Sequence, residues 1–103
     1  MKYITKEVSK DEVVLEIHGL LTGIESTDTF HHQLQELMAS NIKIITLNFK
    51  DVESINSSCI GKIYLFQKKM EEDGRKIQIR GCSDNVHKTF QLIKLEQLIN
   101  IER

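Results

Sequence analysis

Residues 56 to 61 read Asn-Ser-Ser-Cys-Ile-Gly, and the first four carry groups able to do chemistry. The hydroxyls of Ser57 and Ser58 can accept a phosphoryl group. The Cys59 thiol can serve as a nucleophile where a helix N-terminus lowers its pKa, with His18 or His87 as the candidate base. No oxyanion or substrate motif accompanies it, and a buried packing thiol is the commoner state of such a cysteine. Asn56 or Ser57 can cap a helix by accepting a hydrogen bond from a backbone N–H. A phosphate-binding turn is a further possibility, but "NSSCIG" lacks G-x-x-x-x-G-K-[ST] and G-x-G-x-x-G, so a nucleotide would be held by the helix dipole alone.

The other reactive residues are scattered. Cys59 and Cys82 lie far apart with no C-x-x-C spacing, which reads as two reduced, packed thiols rather than a disulfide or a metal site. His31 and His32 are adjacent, and neighbours on a helix point about 100° apart, a poor grip for one ion. They read as partly exposed helix residues, and no metal or cofactor is expected. A formal net charge of -1 supplies no field for gathering nucleic acid or anionic membrane, so any partner must be recognised locally. The N-terminus lacks a secretory signal pattern and no apolar run approaches the roughly 18 residues that span a bilayer, so the expected location is the cytoplasm.

The elements that must position Ser57 follow from hydrophobic periodicity. Met1 to Val8 and Val13 to His18 read as a β-hairpin ending at Gly19. "GIESTDTFHHQLQELMAS" offers Ser26, Thr27 or Asp28 as N-cap and places Phe30, Leu34, Leu37 and Met38 on one helical face. "IKIITLNF" is nearly continuously apolar, as expected of a central strand covered on both faces. A second helix runs from Ser57 to about Asp73, with Ile60, Ile63, Tyr64 and Met70 near one face, Lys68 and Lys69 towards its end and Gly74 at its C-cap. "KIQIRG" is a short strand, "SDNVHKTFQLIKL" a helix capped by Ser83 or Asp84, and "LINI" an edge strand. A chain of 103 residues without proline, repeat or linker fits one α/β domain, 1–103: a mostly parallel sheet behind an N-terminal hairpin, with three to four helices. In that arrangement Asn56 and the two serines occupy the turn at the carboxyl edge of the sheet, where open α/β folds place functional loops. Capping explains Asn56, and Ile55 and Ile60 can pack as a hydrophobic staple. Two successive serines remain unexplained.

"ITLNFKDVESINSSCIGKI" followed by "GRKIQIRGCSDNVHKTFQLIKLEQLINI" resembles the STAS domain of bacterial anti-sigma factor antagonists, and "EIHGLLTGIESTDTF" extends the resemblance over almost the whole chain. The family shows an apolar strand, an acidic turn, a D-S-x-G-type signature opening a helix, a Gly-bounded edge strand, a spacer helix and a terminal L-x-x-L. Carried over, Ser57 falls on the serine phosphorylated by the partner kinase, with Ser58 the runner-up, and Gly61 on a small residue that lets the helix pack closely. Asn56 and Cys59 replace the usual aspartate and glycine, and Lys94 stands where glycine is common, while Leu95, Leu98 and Ile101 fit.

The resemblance implies a non-enzymatic regulator. It would bind an ATP-dependent anti-sigma factor serine kinase through Asn56, Ser57, Ser58, Cys59 and Lys62 and free a sigma factor. Phosphorylation of Ser57 would switch binding off, and a phosphatase is a further candidate partner. The kinase would bring the ATP and Mg²⁺. Asp51 and Glu53, in the preceding turn, would add repulsion to the phosphate. The alternative is a STAS interaction module that is not phosphorylated, or one that binds a ligand or nucleotide in another signalling assembly.

Overall fold

The structure, a computed structural model, describes residues 2–21 and 23–102. Strand β1 (Lys2–Glu7) pairs antiparallel with β2 (Glu12–Leu21), the expected hairpin; Met1 lies outside the described residues. Then follow helix α1 (Ile24–Ala39), β3 (Ile44–Ile55), α2 (Ser57–Glu72), β4 (Lys76–Arg80), α3 (Asp84–Leu92), a 3-10 turn (Leu95–Gln97) and β5 (Asn100–Ile101). The strands lie in chain order, and all pairings after the hairpin are parallel. This is the α/β fold with a mostly parallel sheet that the periodicity predicts.

Strand register sorts the side chains into rows. Val13, Ile45 and Ile77 form one row and Leu15, Leu47 and Ile79 the next, all buried. On the opposite face the rows are Val14, Thr46 and Gln78, then Glu16, Asn48 and Arg80. The central strand is therefore not covered by helices on both sides. Phe49 meets Phe30 of α1 at 6.5 Å and Phe90 of α3 at 6.0 Å between ring centres, and α2 packs beside α1 through His31 and Phe66 at 5.4 Å. Three successive crossovers of one hand, all stepping the same way along the sheet, put every helix on one face. The other face satisfies itself with polar contacts: Gln78 donates to the buried Thr46 hydroxyl at 2.8 Å, and Lys6 pairs with Glu16 at 2.7 Å.

The helices bury the residues that their spacing selects, with two corrections. Phe30 and Leu34 are fully buried and Leu37 nearly so. In α2 the buried seam is Cys59, Ile63, Phe66 and Met70, whereas Tyr64 is 44% exposed and Ile60 only packs against the rim of the core. The run Ile-Tyr-Leu-Phe allows two adjacent faces, and the aromatic stack with His31 selects the one containing Phe66. The second correction concerns the start of α1. Gly23 is its N-cap and makes no side-chain cap bond, so Thr27 and Asp28 lie inside the helix rather than before it; the Ser26 side chain is outside the described residues.

Helix ends are satisfied differently. Gly74, at φ 70, closes α2 as expected, and Ser83 caps α3 by accepting the Val86 N–H at 3.3 Å. Lys94 has φ 60, the left-handed conformation, which accounts for glycine being common at that position in proteins it resembles. The C-terminal carbonyls of α1 and the chain beyond are taken by Arg75. Its guanidinium donates to the carbonyls of Leu37, Met38, Ser40 and Ile42 at 2.7 to 3.3 Å.

Candidate functional site

Strand β3 runs well past its pairing with β4, which ends at Asn48, and stays paired with β2 as far as Ile55. Its pairing with β2 shifts by one residue between Glu16 and His18 and again between Gly19 and Leu21, so two irregularities re-aim its last residues. Gly81 packs against the first of them. Its φ is +72, and a Cβ there would stand 3.1 Å from Asn48 Oδ1 and 3.3 Å from the Lys50 backbone. One residue, Asn56, then separates β3 from α2. Asn56 is the N-cap, its Oδ1 accepting the Cys59 N–H at 2.8 Å while its carbonyl accepts the Ile60 N–H at 3.2 Å. Ser57 occupies the first helical position, and both Ser57 and Ser58 are exposed.

Beneath the serines lies a small buried polar knot. Thr27 of α1 is 7% exposed, and its hydroxyl oxygen accepts from Asn56 Nδ2 at 3.1 Å and from the Cys59 thiol at 3.5 Å. The same hydroxyl donates back to the Gly23 carbonyl at 2.9 Å. The Tyr3 hydroxyl is buried without a hydrogen-bond partner, and burial, then the neighbouring Cys59, pushes its pKa up to about 12. Burial likewise raises Cys59, against the hydrogen bond to Thr27 and the charge of Lys62. A fully buried thiol held protonated is the reverse of an activated nucleophile.

The helix start is electrically open. The first turn of α2 contains no acidic side chain, so the positive end of its dipole faces solvent beside the Ser57 hydroxyl. Asp51 and Glu53 do not lie in a turn next to it, as the sequence suggested, but within β3. Asp51 instead binds His18 at 2.6 Å. That pair lines, with Glu16, Asn48 and Lys50, a polar depression of about 210 Å³ on the helix-free face.

The residues singled out from sequence thus divide into a surface and its support. Asn56 and Lys62 are half-buried and the two serines exposed, so these four share one patch at the start of α2. Cys59 is fully buried and supports that patch from below. Gly61 is exposed and a Cβ there would meet nothing within 4 Å, so no close packing within this chain requires glycine. Ile55 and Ile60 are only partly buried beside the core. Sequence reasoning missed Thr27 as a contact of the loop and missed Tyr3. Their partners lie 29 or more residues away, and local pattern carries no trace of them. Among the described residues no helix is long and apolar enough to cross a membrane, and no group of three or more histidine, cysteine, aspartate or glutamate residues could hold a metal.

Known proteins share this fold. An anti-sigma factor antagonist from Mycobacterium paratuberculosis is 9% identical and covers 98% of this chain and 84% of its own, with a TM-score of 0.86. The anti-sigma factor antagonist SpoIIAA, from Bacillus, matches in its unphosphorylated form at 18% identity over 97% of this chain and 87% of that one, TM-score 0.81. Its phosphorylated form matches at 17% over 97% and 90%, TM-score 0.75. The STAS domain of a SulP transporter from Vibrio cholerae matches at 15% over 94% and 77%, TM-score 0.70. At these identities the likeness is one of fold. No curated protein matches the chain. The model of the family described as "Mlab, STAS domain" matches residues 4–100, nearly the full length, and the chain therefore belongs to the STAS domain family.

Proposed function

We propose that this protein is a cytoplasmic anti-sigma factor antagonist that captures an anti-sigma factor kinase through the Ser57 patch and the exposed face of α2. Phosphorylation of Ser57 ends the capture. The observation that carries this reading is the exposed Ser57 hydroxyl at the first position of a helix whose first turn holds no acidic residue. A phosphate there brings roughly −1.5 to −2 charges to free backbone N–H groups and the positive dipole end, so the fold tolerates it. At an interface the same charge must be desolvated or meet carboxylates, and a few kcal/mol of such coupling changes occupancy by orders of magnitude. The fold likeness to SpoIIAA in both phosphorylated and unphosphorylated forms supports a fold that survives modification. In this reading the protein is substrate and ligand, the kinase supplies ATP and Mg²⁺, and a phosphatase resets the switch.

The test is labelling and binding in extract of the native cell supplied with radiolabelled ATP. Wild type should take up phosphate and Ser57→Ala should not. With the kinase isolated from that extract, Ser57→Ala should bind as wild type does, and Ser57→Asp at least tenfold more weakly, about 1.4 kcal/mol. Equal affinity of all three proteins would sink the switch. The competing reading, an interaction module that is not phosphorylated, draws on Asn56 standing where the resembled signature has aspartate and on the fold likeness to a transporter STAS domain. It predicts no label on any variant.

A further inference from the structure

The two exposed serines are bracketed by residues pinned to a single hydroxyl on another helix. Asn56, immediately before them, donates to Thr27 Oγ1 at 3.1 Å, and Cys59, immediately after them, donates its thiol to the same oxygen at 3.5 Å. Asn56 Oδ1 and the Cys59 N–H close the triangle at 2.8 Å. With Thr27 7% exposed and Cys59 fully buried, water cannot readily replace the hydroxyl as acceptor. From this geometry we infer that Thr27 is a positioning residue: through Asn56 and Cys59 it holds the first turn of α2 so that the Ser57–Ser58 pair is presented in one orientation. The consequence for phosphorylation rests on the reading of Ser57 given above; the clamp itself does not.

Thr27→Val keeps the shape and removes the hydroxyl, and Thr27→Ser keeps the hydroxyl. Amide hydrogen exchange, followed by NMR, reads the clamp without any partner. In Thr27→Val the Cys59 amide should exchange at least tenfold faster than in wild type, the Leu47 and Ile79 amides of the sheet should change less than threefold, and Thr27→Ser should restore protection. An unchanged Cys59 amide, or an equal acceleration of all three amides, overturns the inference. The labelling assay then reads the consequence. Thr27→Val should be phosphorylated at least fivefold more slowly than wild type and Thr27→Ser at the wild-type rate; equal rates in all three overturn the positioning role. Absence of label in every protein, wild type included, removes the phosphorylation reading, and the exchange result still decides the clamp.

Discussion

The end of α1 and the start of α2 lie at opposite edges of the sheet and face the same physical problem, a helix terminus with unpaired backbone groups. At the end of α1 the solution is internal. Arg75, its side chain 12% exposed, donates from all three guanidinium nitrogens to four carbonyls of the α1 terminus and the chain that follows, with the Asp73 carboxylate 3.9 Å away. At the start of α2 the solution is partial. Asn56 takes the Cys59 N–H, while the Ser57 and Ser58 N–H groups find no acceptor among the described residues and the dipole points into solvent. At one edge Arg75 occupies the carbonyls and ties the end of α1 to the chain that leads into β3. The other has its support buried and its donors open, so the modification proposed above would not endanger the core.

Removing each solution in turn separates the two edges. Arg75→Ala should cost about 3 kcal/mol in urea denaturation, because buried carbonyls lose charged donors and the side-chain stem leaves a gap. Asn56→Ala should cost about 1 kcal/mol, the usual loss of an N-cap. An Arg75→Ala loss no larger than that of Asn56→Ala would erase the distinction between the two edges.

A smaller effect tests the packing of α1 on α2 that connects them. His31 stacks on Phe66, and its Nδ1 is buried without a partner. Burial, then the positive charges of Lys62, His32 and Lys69, holds its pKa below 6.5, with Asp28 opposing. The unfolded chain then binds the proton more readily than the folded one, so stability should fall as the pH is lowered through about 6.5 and below. Urea midpoints between pH 7 and pH 5 should decline less steeply for His31→Gln than for wild type. Parallel profiles would show that the α1–α2 seam does not sense His31.

Much of the fold was legible because its signals are local. Alternation and helical spacing located the hairpin and the helices, and the capping chemistry of Asn56 and Ser83 located the starts of α2 and α3 within a residue. The position of Ser57 at the start of α2 was legible for the same reason, since it directly follows a cap. What escaped depends on distance along the chain. Arg75 follows a C-cap glycine and reads as a surface charge, yet its partners are 33 to 38 residues earlier. Thr27 reads as a cap because threonine caps helices; only the approach of α2 shows that it receives the loop instead. The one-sided covering of β3 escaped because apolar continuity does not distinguish a second helical layer from polar self-satisfaction by Thr46, Asn48 and Gln78.

Under the proposed function the open edge carries a phosphoserine in the cell. Its most direct test is fragmentation mass spectrometry of the protein isolated from its native cell, on the tryptic peptide 51–62, which holds Ser54, Ser57 and Ser58. A fraction of that peptide should carry phosphate localised to Ser57. A peptide recovered wholly unmodified under conditions in which the pathway is active, or one with phosphate confined to Ser54, would contradict it.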